Sequence, residues 1–457
     1  MNKFGNFVTN EHLQFFLMIP VFLGALYVSM RITCAGVDLR GLLHSRPRLI
    51  TCAALTVLGT GCLLYMFLSH LERQIKSAPV NRVLVWISGA YVAFFIYFLH
   101  ALAVSDLLSL LLRSAGHREM PARLLMAFTV GIAVFLTVYG VIHARNVRTI
   151  HYNLSSEGRL SAPLRVVEVS DLHMGSVIGT AHVQRVVDAV NASHPDLVVF
   201  LGDQFNRTSA IDVVDAEEIF RILSRIKAPL GAYAVLGNHD PELDSEIYQQ
   251  YLSESGITAL DNGVLEIYPG NPAQEAEIRT LVSASSDGAG SVAAPVTPVH
   301  GALLLAGRTK LAEDKERVPL AKLLDQAGVM PGSGNSRSDG SSGSYGSSVP
   351  LPDSVSSDSD QPAHYLLVLD HDPGGITEAV SCDADLVLAG HTHRGQFFPT
   401  ALITQFSYEK GYFYGLAQTI NEATGHITTS VVSSGAGYFQ TPIRIGSDSE
   451  IVCIDIR

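Results

Sequence analysis

The sequence predicts a multi-helix transmembrane region followed by an α/β domain, and three observations predict it. Four apolar runs occupy the first third of the chain. Short apolar strands alternate with amphipathic helices after about Leu164. Charge divides sharply between the two parts. Of 457 residues, 47% are hydrophobic and 16% charged, where a soluble domain carries about 25% charge. Residues 1–149 have a net charge of +8 and the remainder −20. A basic first part suits an anionic lipid surface. An acidic second part lacks the clustered Lys and Arg of a nucleic-acid interface, which excludes that class of partner.

The apolar runs are Leu13–Ile32, Leu49–Leu71, Val83–Leu112 and Leu124–His143. Each reaches the roughly 20 residues that a helix needs to cross the hydrocarbon core. Lipid offers the backbone no hydrogen bonds, so such spans are helical. They define a transmembrane region over residues 1–148 with about four spans. The first run is long, has only Lys3 as a preceding positive charge and lacks a small-residue cleavage site, unlike a signal peptide. Four spans leave the N-terminus and the large domain on the same side. The connecting segments carry six basic residues on that side and seven on the other, which leans towards an extracytoplasmic domain. His100 and Asp106 lie inside the third run and read as helix-packing groups. Five cysteines with no CxxC spacing suggest neither a disulfide framework nor a thiolate metal site.

In the second part, candidate strands are Leu164–Val169, Leu197–Leu201, Ala232–Leu236, Ala302–Ala306, Tyr365–Leu369, Leu386–Ala389, Thr428–Val432 and Ile451–Ile456. Candidate helices are His182–Ala192, Ala216–Ile226, Pro241–Ser255 and Val318–Ala327. The domain is expected over 160–457 with two interruptions. One, Asn271–Pro298, is a small-residue-rich surface excursion. The other, at about 331–361, is a Ser/Gly-rich insertion whose composition cannot bury a core and reads as disordered.

Chemistry concentrates where strands end. The apolar strands are followed by Asp171-Leu172-His173, Gly202-Asp203, Gly237-Asn238-His239-Asp240, Asp370-His371 and Gly390-His391-Thr392-His393. Any one of these is an ordinary turn or cap. Five together converge, because ligands gather at the carboxyl ends of strands in an α/β sheet. Carboxylates, imidazoles and an amide without thiolates suit Mn, Fe or Zn. Six or seven such groups exceed the need of one ion and fit a binuclear centre bridged by a carboxylate.

The order DLH, GD, GNHD, a separate His and GHTH resembles the calcineurin-like metallophosphoesterases. GRTKLAEDKERVPLAKLL, GHTHRGQFFP and SSGAGYFQTPIRIGSDSEI are similar to their bacterial integral-membrane branch. The resemblance covers about 164–457 apart from the two interruptions. It implies two packed mixed β-sheets flanked by helices, with two divalent transition-metal ions at one end. It implies Asp171, His173 and His393 on the first metal, Asn238, His371 and His391 on the second, and Asp203 bridging both. His239 would stand beside the pair as a catalytic acid, with Asp240 holding its ring. Arg394 is a candidate substrate-binding cation. Asn206, Arg394 and Tyr438-Phe439 depart from the pattern common among relatives, which bears on the substrate rather than on the metals. The expected function is hydrolysis of phosphate esters or anhydrides by water activated between the metals. The expected substrate is a phosphorylated small molecule or lipid, in a multi-pass protein of the bacterial cell membrane. The alternative is a transporter or sensor with a regulatory metal-binding domain.

Overall fold

The computed structural model describes residues 11–35, 39–67, 78–117, 120–206, 215–270, 276–283, 300–308, 318–329, 364–408 and 411–457. The Ser/Gly-rich insertion lies outside the described residues, as does most of the expected excursion.

The first part is helical: α1 (Glu11–Thr33), a short α2 (Leu39–Leu43), α3 (Arg46–Phe67), α4 (Ala78–Ser114) and α5 (Ala122–Ala144). Three stretches are long and apolar enough to cross a membrane: Arg46–Tyr65, Pro79–Ser114 and Ala122–Ala144. The described apolar part of α1 is shorter, Val21–Thr33. Asp106 in α4 is held by Arg31 in α1, with Nη2–Oδ1 at 2.8 Å and Nη1–Oδ2 at 3.0 Å. Ser105 of α4 and Thr129 of α5 share a hydrogen bond at 2.9 Å. The ionisable group inside the third run therefore pairs two helices.

At 37 residues, α4 is about 55 Å long, well beyond a hydrocarbon core of about 30 Å. Its first half is the seat of the second domain. Asn81 donates to Ser176 Oγ at 3.3 Å, and Tyr97 Oη donates to the Phe398 carbonyl at 3.2 Å. Gly89 meets Pro442 so closely that a Cβ there would lie 2.6 Å from its Cδ.

The α/β domain is a four-layer sandwich. The first sheet has the order β1 (Val147–Leu154), β13 (Ser449–Ile456), β2 (Leu164–Val169), β3 (Leu197–Leu201), β4 (Ala232–Val235) and β5 (Thr258–Ala259). The second has the order β11 (Gly415–Ile420), β12 (Ile427–Val432), β10 (Leu386–Ala389), β9 (His364–Asp370), β8 (Ala302–Arg308), β6 (Gly263–Tyr268) and β7 (Glu277–Val282). Both sheets are mixed. β2, β3 and β4 run parallel in one, and β8, β9, β10 and β12 in the other.

Strand alternation explains the layers. In β3, Leu197, Val199 and Leu201 face the second sheet and pack with Leu305, Leu367 and Leu388. Val198 and Phe200 face outward onto α6 (Thr180–Ala192), α7 (Ala216–Leu223) and α8 (Glu246–Ser255), meeting Val186, Phe220 and Tyr251. In the second sheet, Leu304, Leu366 and Val387 face α9 (Leu320–Gln326) and α10 (Ile376–Ser381). Both faces of the central strands are apolar because both are covered.

The domain begins earlier than its apolar pattern. β1 pairs in parallel with β13 from Val147↔Ser449 to Leu154↔Ile456, and only Arg145 and Asn146 separate it from α5. The expected excursion also contains β7, an edge strand paired with β6.

Candidate metal centre

The parallel strands of the two sheets end at the same rim of the sandwich. The loop after β2 carries Asp171 and His173, the loop after β3 Asp203, and the loop after β4 Asn238, His239 and Asp240. From the second sheet, the loops after β9 and β10 bring His371, His391 and His393. Two groups result whose ligand atoms can share an ion: Asp171, His173 and His393, and Asp203, His371 and His391.

In the first group, His173 Nε2 and His393 Nε2 face each other at 3.0 Å, and Asp171 Oδ1 lies 3.5 Å from His393 Nε2. Asp171 Oδ2 accepts from Ser170 Oγ and from the His391 backbone N–H. Its Oδ1 is buried without a hydrogen-bond partner, which costs about 1–3 kcal/mol if left uncompensated. A cation among these atoms satisfies it. Burial lowers His173 to about 3 and holds His393 well below its ordinary value. The rings are therefore neutral near pH 7, as metal ligation requires.

In the second group, His371 Nδ1 donates to the Leu201 carbonyl at 2.7 Å. This fixes the tautomer and turns the Nε2 lone pair inward. That Nε2 lies 3.1 Å from His391 Nδ1, 3.2 Å from Asn238 Oδ1 and 3.3 Å from Asp203 Oδ2. Asp203 Oδ2 also lies 3.8 Å from His173 Nε2 in the first group. Its Oδ1 accepts from the His239 backbone N–H at 2.8 Å. One carboxylate oxygen is thus anchored while the other stands between the groups. Burial favours the acid form of Asp203, but at the low pH where it titrates the protonated His371, its hydrogen bond, and protonated His239 and His173 outweigh burial and hold the carboxyl far below its usual range. The donor set and its spacing fit two divalent ions.

Asp171, His173, Asp203, His391 and His393 all adopt positive φ, between 49° and 69°. Non-glycine residues pay for that conformation, and it concentrates at functional sites. Gly237 lets the two first-sheet loops touch, since a Cβ there would collide with Asp203 Oδ1.

His239 is half-buried, with its ring centroid 4.7 Å from that of Phe439 and 5.5 Å from that of His173. Asp240 works on the backbone: its Oδ1 accepts from Phe205 N–H at 2.9 Å and its Oδ2 from Gly237 N–H at 2.8 Å. It locks the GNHD turn against the loop after β3. Burial and the nearby Asp203 raise its carboxyl to about 8. The Arg394 guanidinium stacks 4.3 Å from the Tyr414 ring centroid and is half-buried.

Two buried arginines of the site escaped the sequence reading. Arg444 is fully buried. It donates to the carbonyls of Ser434, Gly435 and Gly437, and its Nη2 approaches His393 Nδ1 to 3.2 Å. Arg308, also fully buried, pairs with Asp370 at 3.3 Å and with Glu378 at 2.5 Å, bracing the strand end before His371. Phe439 covers His239. The available signal was an arginine inside an otherwise uncharged stretch, GAGYFQTPIRIG. Arg444→Ala strands several buried carbonyls, so we expect a loss of about 3 kcal/mol or more in unfolding free energy. Looser metal binding at the His393 group should accompany it. Thermal denaturation with and without added metal checks both.

A family model, Calcineurin-like phosphoesterase, matches residues 164–395, just over half the chain and a range that contains all seven candidate ligands. The chain is 26% identical over 335 residues to a "Transmembrane protein with metallophosphoesterase domain" of Danio rerio, covering 71% of this chain and 61% of that protein. It is 24% identical over 418 residues to the protein of the same description from Bos taurus, covering 90% and 74%. An uncharacterized metallophosphoesterase of Bacillus subtilis is 22% identical over 299 residues, covering 64% and 79%. The similarity to a membrane branch therefore extends beyond bacteria to vertebrates. With the family's match spanning the strand ends that gather these carboxylates and imidazoles, the chain belongs to the calcineurin-like phosphoesterases, a family of metal-dependent hydrolases.

Proposed function

We propose that the protein is a multi-pass, membrane-anchored phosphoesterase with a binuclear centre of divalent transition-metal ions, Mn, Fe or Zn. The observation that carries this is Asp203 Oδ2, placed 3.3 Å from His371 Nε2 and 3.8 Å from His173 Nε2. Asp171, His173 and His393 hold one ion, Asn238, His371 and His391 the other, and Asp203 serves both. Bound there, a pair of divalent ions lowers the pKa of water towards neutrality and offsets charge on the phosphate oxygens. The chain's own residues supply orientation. Asp240 fixes the turn bearing Asn238 and His239, and the half-buried imidazole of His239 is the group at the rim able to hand a proton to a leaving oxygen. Arg394, braced on Tyr414, adds a fixed positive charge for a phosphate. Helices α1 and α3–α5 form the anchor, with the α/β domain from β1 onward outside the cytoplasm. Substrates are phosphate esters or anhydrides, small or carried by lipids of the membrane or cell envelope. Metal content measured alongside hydrolysis of an aryl phosphate tests the proposal: metal-replete protein without such activity would speak for a transporter or sensor instead.

The Ser/Gly-rich insertion carries none of this chemistry. Deleting residues 333–360 is expected to leave the aryl phosphate rate within about twofold, since a polar tract of that composition adds little to a core. Loss of metal from the shortened protein would give the segment a structural role.

A further inference from the structure

The loop that delivers His391 and His393 runs on into the flank of the helix bundle. After the turn His393–Gly395, Phe397 packs against the cluster of Ala93, Tyr97 and Phe98 from α4 and Ala133 from α5. The Phe398 carbonyl accepts from Tyr97, and its ring centroid lies 6.0 Å from that of His100. These partners fall within Pro79–Ser114 and Ala122–Ala144, two of the stretches apolar enough to cross a membrane.

From there the chain forms α11 (Thr400–Ser407, TALITQFS), which has no charged residue and no buried one. Thr400 ties its start to the Gly395 and Phe397 carbonyls. Leu402 is 48% exposed, Ile403 67% and Phe406 86%. Positions i, i+1 and i+4 share one helix face, so this face is apolar and uncovered. α5, which shares the packing of Phe397 through Ala133, has an apolar outer face of its own, with Phe135, Val138 and Ile142 exposed.

We propose that α11 is an interfacial helix, seated through Leu402, Ile403 and Phe406 in the acyl–headgroup boundary of the bilayer that the bundle spans, and that the metal centre takes its phosphate ester from lipids in that bilayer. This rests on the membrane-phosphoesterase reading and narrows its substrate to lipid-borne phosphates. A face without charge suits the acyl boundary, and the seat of Phe397 and Phe398 on two stretches apolar enough to cross a membrane identifies the occupant as the bilayer.

The test uses the full-length, metal-loaded protein in phosphatidylcholine vesicles. Phe406→Trp adds a fluorophore to the single native Trp86, whose signal is subtracted with the unmodified protein. Quenching of the added emission by lipids brominated near the headgroup, with shielding from aqueous iodide, is expected. Iodide quenching without bromolipid quenching overturns the seat, as does shielding from both in a protein that self-associates. Ile403→Glu and Phe406→Glu are then assayed on an aryl phosphate and on a vesicle panel of lipid phosphomonoester, phosphodiester and pyrophosphate. We expect the lipid rate to fall about tenfold or more with the aryl rate and metal content unchanged. Equal lipid rates in variants and wild type, or a wild type that cleaves the aryl ester and nothing in the panel, overturn the proposal. A wild type inert on every substrate refutes the phosphoesterase reading itself, while the quenching still reports where α11 lies.

Discussion

Asp203→Ala is expected to strip metal from both groups and to lower turnover by about 10³-fold or more, a barrier rise of at least about 4 kcal/mol. Its Oδ2 stands 3.3 Å from one group and 3.8 Å from the other, the position expected of the shared ligand in the proposed centre. Asp203→Asn keeps the shape and removes the charge, and should lose nearly as much. Terminal ligands should behave differently. Asp171→Asn is expected to weaken the first ion and Asn238→Ala the second, each leaving the other in place. Metal stoichiometry on matched preparations decides the matter. Two ions retained in Asp203→Ala, or at most one in metal-replete wild type, would rule out the shared carboxylate.

His239→Ala should leave both ions in place and still lower the rate on an alkyl phosphate by roughly 10²–10⁴-fold, the usual contribution of a positioned general acid. The loss should shrink on a nitrophenyl ester, whose leaving oxygen needs little protonation. His239 is half-buried at the rim and its ring packs on Phe439 at 4.7 Å, so a second outcome is specific. If the imidazole only fills space beside the loop, both esters slow equally. The His239 N–H to Asp203 Oδ1 bond is a backbone bond and survives the substitution, which keeps metal content a clean control. A missing ion, or equal losses on the two esters, refutes the acid role.

The legible parts of this molecule are those where both faces of an element are buried. β3 and β10 coincide with continuous apolar runs because helices cover one side of each sheet and the opposite sheet covers the other. Edge strands gave no such run. β1 and β11 alternate between half-buried and exposed along most of their lengths, and their polar residues read as connecting segments. The candidate ligands were visible because each follows an apolar strand. Arg444 was not, because its acceptors are main-chain carbonyls of Ser434, Gly435 and Gly437, which leave no side-chain signature. A second task of Asp240 was hidden for a related reason: besides standing next to the imidazole it was expected to hold, its carboxyl group accepts from the amides of Phe205 and Gly237. The positive φ of five candidate ligands was not legible either: Asp and His are enriched in that region, but most of them lie outside it and only the surroundings decide which enter it.

The junction between α5 and β1 sets how this enzyme searches. Two residues join them, and the joint is clamped: Ser449 Oγ donates to the Ala144 carbonyl at 2.7 Å, Arg444 N–H to Gly140 O at 3.1 Å, and His143 Nε2 meets Asp448 at 2.9 Å. A domain on a flexible tether sweeps a hemisphere whose radius grows with linker length. This one has no such reach. With the bundle spanning the bilayer as proposed, such a joint would hold the catalytic rim at one height above that membrane, and encounters with anything confined to it would become a search in a plane. Lengthening the joint by a flexible segment would trade that planar search for a volume search, and the enzyme would lose its preference for the surface on which it stands.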